Sequence, residues 1–105
     1  MIESRLTRRP IHPGEFLRDE LAELGISAAE LARRIHVPPN RVSQILAGKR
    51  DITANTALRL GRWFGTGPGI WLNLQKAYEL DLARQELGDA VDAIEPRSRP
   101  DASVG

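Results

Sequence analysis

Pro38 and Pro39 stand side by side between two short apolar-periodic segments, and no helix interior tolerates such a pair. The segment before them, residues 27–36, opens on Ser27-Ala-Ala-Glu30, a capping-box spacing in which the Ser27 hydroxyl and the Glu30 carboxylate each satisfy a backbone N–H. Leu31 and Ile35 then fall on one face, with Arg33 and Arg34 on the other. The segment after them, residues 39–47, starts at Pro39, buries Val42, Ile45 and Leu46, and stops at Gly48. Two short helices joined by a turn of about three residues fit a helix-turn-helix. A left-handed turn residue is expected at His36, where glycine would be favoured by roughly 1 kcal/mol.

The rest of the chain reads as helical too, with no alternating run long enough for a strand and no internal repeat. A first helix opens at His12-Pro13, places Leu17, Leu21 and Leu24 on one stripe and ends at Gly25. A fourth follows Asp51-Ile-Thr53, with Thr53 as cap, and buries Ala57, Leu60 and Phe64; Gly61 inside it is expected to weaken it. A fifth starts near Pro68, carries Trp71, Leu74, Tyr78 and Leu82 on one side, and runs toward Pro96 with Gly88 as a candidate break. The expected architecture is all-α: a flexible N-terminal arm (1–11), a five-helix domain (12–82), a helical extension (83–95) and a disordered tail (96–105).

In 105 residues there is room for one core and little more. Without cysteine, and with two histidines far apart, disulfides, thiolate metal sites and cysteine nucleophiles are excluded, and no metal or other cofactor is expected. Glu15, Asp19 and Glu23 share a helix face, but any exposed helix offers that spacing; there is no glycine-rich phosphate loop, so catalysis is not expected. No run of 18 apolar residues and no apolar N-terminal stretch is present, and a cytoplasmic protein free of membrane is the expectation.

Net charge is only +1, yet it is unevenly distributed. Over residues 33–62, Arg33, Arg34, Arg41, Lys49, Arg50, Arg59 and Arg62 face a single acid, Asp51. Over residues 79–95, Glu79, Asp81, Glu86, Asp89, Asp92 and Glu95 face a single base, Arg84. This pattern fits either two solvated faces of opposite sign or two faces with different partners. On the second helix of the pair, Asn40, Arg41, Ser43 and Gln44 point outward. Asn or Gln hydrogen-bonds adenine through N6 and N7, and Arg does so with guanine O6 and N7. An ordinary bundle helix with a polar outer face fits the same spacing.

Ser27-Ala-Ala-Glu-Leu-Ala-Arg-Arg-Ile-His-Val37 and Asn40-Arg-Val-Ser-Gln-Ile-Leu-Ala-Gly-Lys-Arg50 resemble the XRE (Cro/CI-type) helix-turn-helix. His12-Pro-Gly-Glu-Phe-Leu17, Asp51-Ile-Thr53, Phe64-Gly-Thr66 and Trp71-Leu-Asn-Leu-Gln75 narrow the resemblance to HigA/VapI-type antitoxins, over about residues 11–83. It implies a homodimer that binds double-stranded operator DNA, represses its own operon and neutralises a RelE-like (HigB-type) mRNA-cleaving toxin. Asn40, Arg41, Ser43 and Gln44 would then meet base edges, and Arg33, Arg34, Lys49, Arg50 and Arg59 would supply phosphate contacts. Trp71 and Tyr78 would be core or, as the rival reading, a dimer contact of the fifth helix. Trp63 would be an exposed contact point, and Asn73 and Gln75 structural polar groups. The toxin would dock on the N-terminal arm and first helix or on the acidic C-terminal helix.

Three departures from the family pattern stand out. Ala28 replaces a phosphate-binding glutamine, His36 with Pro38-Pro39 replaces a glycine turn and a polar cap, and Gly67-Pro68-Gly69 replaces Ser-Pro-Glu. A stand-alone regulator without a toxin, or an interaction protein that has lost DNA binding, remains open on these residues.

Overall fold

The computed structural model describes residues 9–98, so the expected tail beyond residue 98 and most of the expected arm lie outside the described residues. Five helices follow in chain order: α1 (Pro13–Leu24), α2 (Ala28–Ile35), α3 (Pro39–Leu46), α4 (Ala54–Phe64) and α5 (Gly69–Leu87). A 3-10 turn, Gly88–Ala90, closes the helical part, and no strand occurs among the described residues. No helix there is long and apolar enough to cross a membrane.

Each boundary has a local cause. The His12 ring caps α1: its Nδ1 accepts the Gly14 N–H at 2.8 Å, with Pro13 in the first turn where no N–H is needed. Gly25, left-handed at φ 71°, ends the helix and leaves Leu24 half-exposed, although Leu24 shares the stripe of Leu17 and Leu21. At α2 the Ser27 Oγ accepts the Glu30 N–H at 3.1 Å. The reciprocal half of the expected capping box is not formed, because the Glu30 carboxylate turns outward to Arg33 and Arg34. His36 closes α2 in the left-handed region at φ 62°, as expected from the turn. Pro38 and Pro39 then start α3 with no side-chain cap. Thr53 caps α4, and α5 breaks at Gly88.

The core is the common interior of these helices. Leu17 and Leu21 of α1, Leu31 and Ile35 of α2, Val42 and Ile45 of α3, Leu60 of α4 and Trp71 of α5 are all buried. Complete burial of such a side chain contributes about 1.5–3 kcal/mol, so this cluster dominates stability. α3 packs against α2 and α1, while α5 packs on α4 and α1. Gly61 proves to be a contact point: a Cβ there would lie 2.2 Å from the Gly67 carbonyl carbon. Its cost in helix propensity is offset by letting the α4–α5 turn press directly onto α4.

Candidate nucleic-acid interface

α3 is held from behind through Val42 and Ile45, and this burial decides which side chains it offers to solvent. Asn40 and Ser43 are exposed; Arg41 and Gln44 are half-buried at the edge of the helix. The Ser43 hydroxyl donates to the Asn40 carbonyl at 3.2 Å. Gln44 Oε1 accepts from Arg50 Nε at 2.9 Å, so a base-reading candidate and a phosphate-binding candidate brace each other. The Arg41 Nε is buried without an acceptor among the described residues. Lys49 and Arg50 are exposed just beyond α3.

The other cations differ in how free they are. Arg33 and Arg34 are exposed but ion-paired with Glu30, the Arg34 Nε at 2.6 Å from its carboxylate. Arg59 is half-buried and bonded within the protein. Its Nη1 donates to the carbonyls of Ile35 (2.9 Å) and His36 (3.1 Å), and its Nε donates to Asn55 Oδ1. It caps the C-terminal end of α2, where orphan carbonyls and the helix dipole favour a cation. Arg59, expected as a phosphate contact, is thus also bonded across to the end of α2.

Of the two readings of Trp71, core or dimer contact, its burial fits the core. Trp71 is 1% exposed, packed edge-on against Phe16 and tilted against Phe64, with its Nε1 donating to Thr66 Oγ1 at 3.2 Å. Tyr78 is half-buried and meets the His12 ring edge-on at 4.9 Å between centroids. Trp63 is half-buried edge-on against Phe64. Gln75 is buried and structural: its Oε1 accepts the Ile52 N–H at 2.8 Å, and its Nε2 donates to Glu79. That bond, followed by one from Lys76, holds the Glu79 carboxyl below the usual range. Asn73, paired with Gln75 in the expectation, is exposed.

Two residues that position α3 went unrecognised in the sequence. Arg18 reaches from α1 and donates to the Leu46 carbonyl at 2.6 Å, closing the C-terminal end of α3. His12 places Gly14 so close to α3 that a Cβ at Gly14 would lie 1.9 Å from the Ile45 oxygen. The His-Pro-Gly-Glu run is thus a clamp of the first helix on the third, and its Glu15 is hydrogen-bonded by Arg9 at 2.9 Å. Mainly through that bond, the Glu15 carboxyl lies below the usual carboxylate range.

A solvent-facing α3, backed by a packed core and flanked by cations, is the arrangement that presents side chains to the major groove. Comparison with known proteins gives the same picture. The sequence profile of the Helix-turn-helix family matches residues 17–71. Virulence-associated protein I of Dichelobacter nodosus is 52% identical over 77 residues, covering 72% of this chain and 71% of that protein. An addiction module antidote protein of a HigA family from Coxiella burnetii superposes with a TM-score of 0.82 at 49% identity, covering 85% of this chain and 99% of that one. Pseudomonas aeruginosa antitoxin HigA, solved with the higBA promoter, superposes with a TM-score of 0.80 at 47% identity, covering 86% and 100%.

Proposed function

The chain belongs to the HigA/VapI branch of the XRE-type helix-turn-helix family, and from that premise we propose that it is an antitoxin that represses its own operon and neutralises an mRNA-cleaving toxin of the RelE-like class. The observation that carries the DNA half of this reading is α3 itself: Asn40, Ser43 and the Arg50-braced Gln44 face outward from a rigidly packed helix. In this reading Asn40, Arg41, Ser43 and Gln44 read base edges, while Lys49, Arg50, Arg33 and Arg34 meet phosphates. Glu30 restrains the last two until phosphate competes for them. The relative solved with its promoter supports an operator as the target. Its partner of the same type is a second copy of the chain, two recognition helices reading two half-sites of an inverted repeat. Such a protein works in the cytoplasm, where the operon is.

The toxin half rests on the family's antidote and antitoxin members. Its test is recovery of the tagged chain from its native host after nuclease treatment, with intact-mass analysis of what co-elutes. A small basic protein in stoichiometric amount, whose expression alone arrests growth, is the expected outcome. A chain that comes down alone yet still shifts its own promoter fragment makes the plain repressor the better account.

A further inference from the structure

The turn after α3 brings the chain back against the helix it has just left. Gly48 takes the left-handed region at φ 75°, its N–H donates to the Ile45 carbonyl at 3.0 Å, and the Lys49 N–H donates to the Gln44 carbonyl at 2.8 Å. Arg50 is thereby set beside Gln44, and its Nε donates to Gln44 Oε1 at 2.9 Å. Among Asn40, Arg41, Ser43 and Gln44, only Gln44 is bonded to another side chain of the described residues; the Ser43 hydroxyl bonds main chain.

A carboxamide turned over about its last bond exchanges an acceptor for a donor. Arg50 removes that choice. A guanidinium only donates, so the atom facing it is Oε1, and the flipped amide would set the Nε2 hydrogens against the Arg50 N–H. Gln44 Nε2, without a partner among the described residues, is the group left for a ligand, and it brings N–H donors. Base edges in the major groove differ in what they accept. Adenine and guanine present N7 and thymine presents O4, whereas cytosine presents only its N4 donor.

We propose that Arg50 is a positioning residue for base recognition: its Nε fixes Gln44 as a hydrogen-bond donor, so that Gln44 takes a base with an acceptor edge and rejects cytosine. The proposal rests on the reading of α3 as the helix that meets bases, and deepens it by giving Gln44 a polarity. The Nη groups of Arg50 stay free for a phosphate, so a single guanidinium grips the DNA backbone and holds the base reader in place.

The test is a fluorescence titration of the full chain with the duplex upstream of its own gene, each base pair replaced in turn by every alternative. Gln44→Ala marks its own position as the one where preference collapses. Wild type is expected to bind at least about tenfold more weakly when cytosine stands there. Arg50 is exposed beyond α3, so its replacement leaves the core untouched. Arg50→Ala is expected to weaken every duplex and also to cut the cytosine penalty to within about threefold. Arg50→Gln separates the two roles, because glutamine carries an N–H as far along its side chain as Nε but no charge. It is expected to keep the penalty and to lower the salt dependence as the alanine does. Arg50→Ala that weakens all duplexes by one common factor, Arg50→Gln that loses the penalty, or a wild-type preference for cytosine overturns the positioning role while α3 remains the reading helix. A Gln44→Ala chain that keeps its preference at every position overturns Gln44 as a base reader as well.

Discussion

His36 is the one non-glycine residue with a positive φ among the described residues, and its side chain is exposed. Left-handed backbone costs an L side chain about 1–2 kcal/mol, against a smaller entropic cost for glycine. His36→Gly is therefore expected to stabilise the protein by up to about 1 kcal/mol in chemical denaturation. A lower midpoint would show that the imidazole contributes a contact that outweighs the strain. Glu30 offers a second test at this scale. It holds both Arg33 and Arg34, so Glu30→Gln is expected to raise affinity for a random duplex several-fold and to steepen the dependence of log K on log salt. An unchanged slope would take both arginines off the phosphate path. The strained turn was legible because Pro38-Pro39 forces a sharp reversal at that point. The role of Glu30 was not, since a capping glutamate and an ion-pairing glutamate occupy the same place in the sequence.

Between elements, the chain is held by polar bonds that reach across long stretches of sequence. Gln75 of α5 accepts the Ile52 N–H just before α4, a link of 23 residues. Gln75→Leu leaves that buried N–H without an acceptor and is expected to cost about 1–3 kcal/mol in thermal or denaturant unfolding. Unchanged stability would mean that Ile52 finds another acceptor. The clamp of α1 on α3 is sharper still. Gly14→Ala forces a Cβ onto the Ile45 carbonyl, with an expected loss of about 1–3 kcal/mol and weaker binding of the promoter, because α3 must shift. A variant with wild-type midpoint and affinity would show that α1 does not position the reading helix. Helix ends were readable from Ser27, Thr53 and Gly25, whose capping chemistry is local. Arg18 on the Leu46 carbonyl, 28 residues away, and Arg59 on the α2 carbonyls were not, because an arginine on an exposed stripe looks the same whether it faces water or a distant helix end. For the same reason Trp71 left two readings open in the sequence, and only the packing of Phe16 and Phe64 around it assigns it to the core.

Across the whole molecule, charge divides where function is expected to divide. The basic stretch 33–62 contains α3 and most of α4, while the acidic stretch 79–95 covers the C-terminal part of α5 and the turn after it. α3, the cations around it and most of its supporting core lie within residues 17–71 matched by the family profile. The acidic end of α5 lies beyond that match. The central claim is that α3 reads a specific DNA sequence. Its most direct test is a fluorescence titration of the full chain with the duplex upstream of its own gene and with a scrambled duplex, for wild type and Gln44→Ala. Tight, salt-dependent binding to the native duplex is expected, with Gln44→Ala costing about 1–3 kcal/mol there and little on the scrambled one. Equal losses on both duplexes, or no preference by the wild-type chain, would contradict the account.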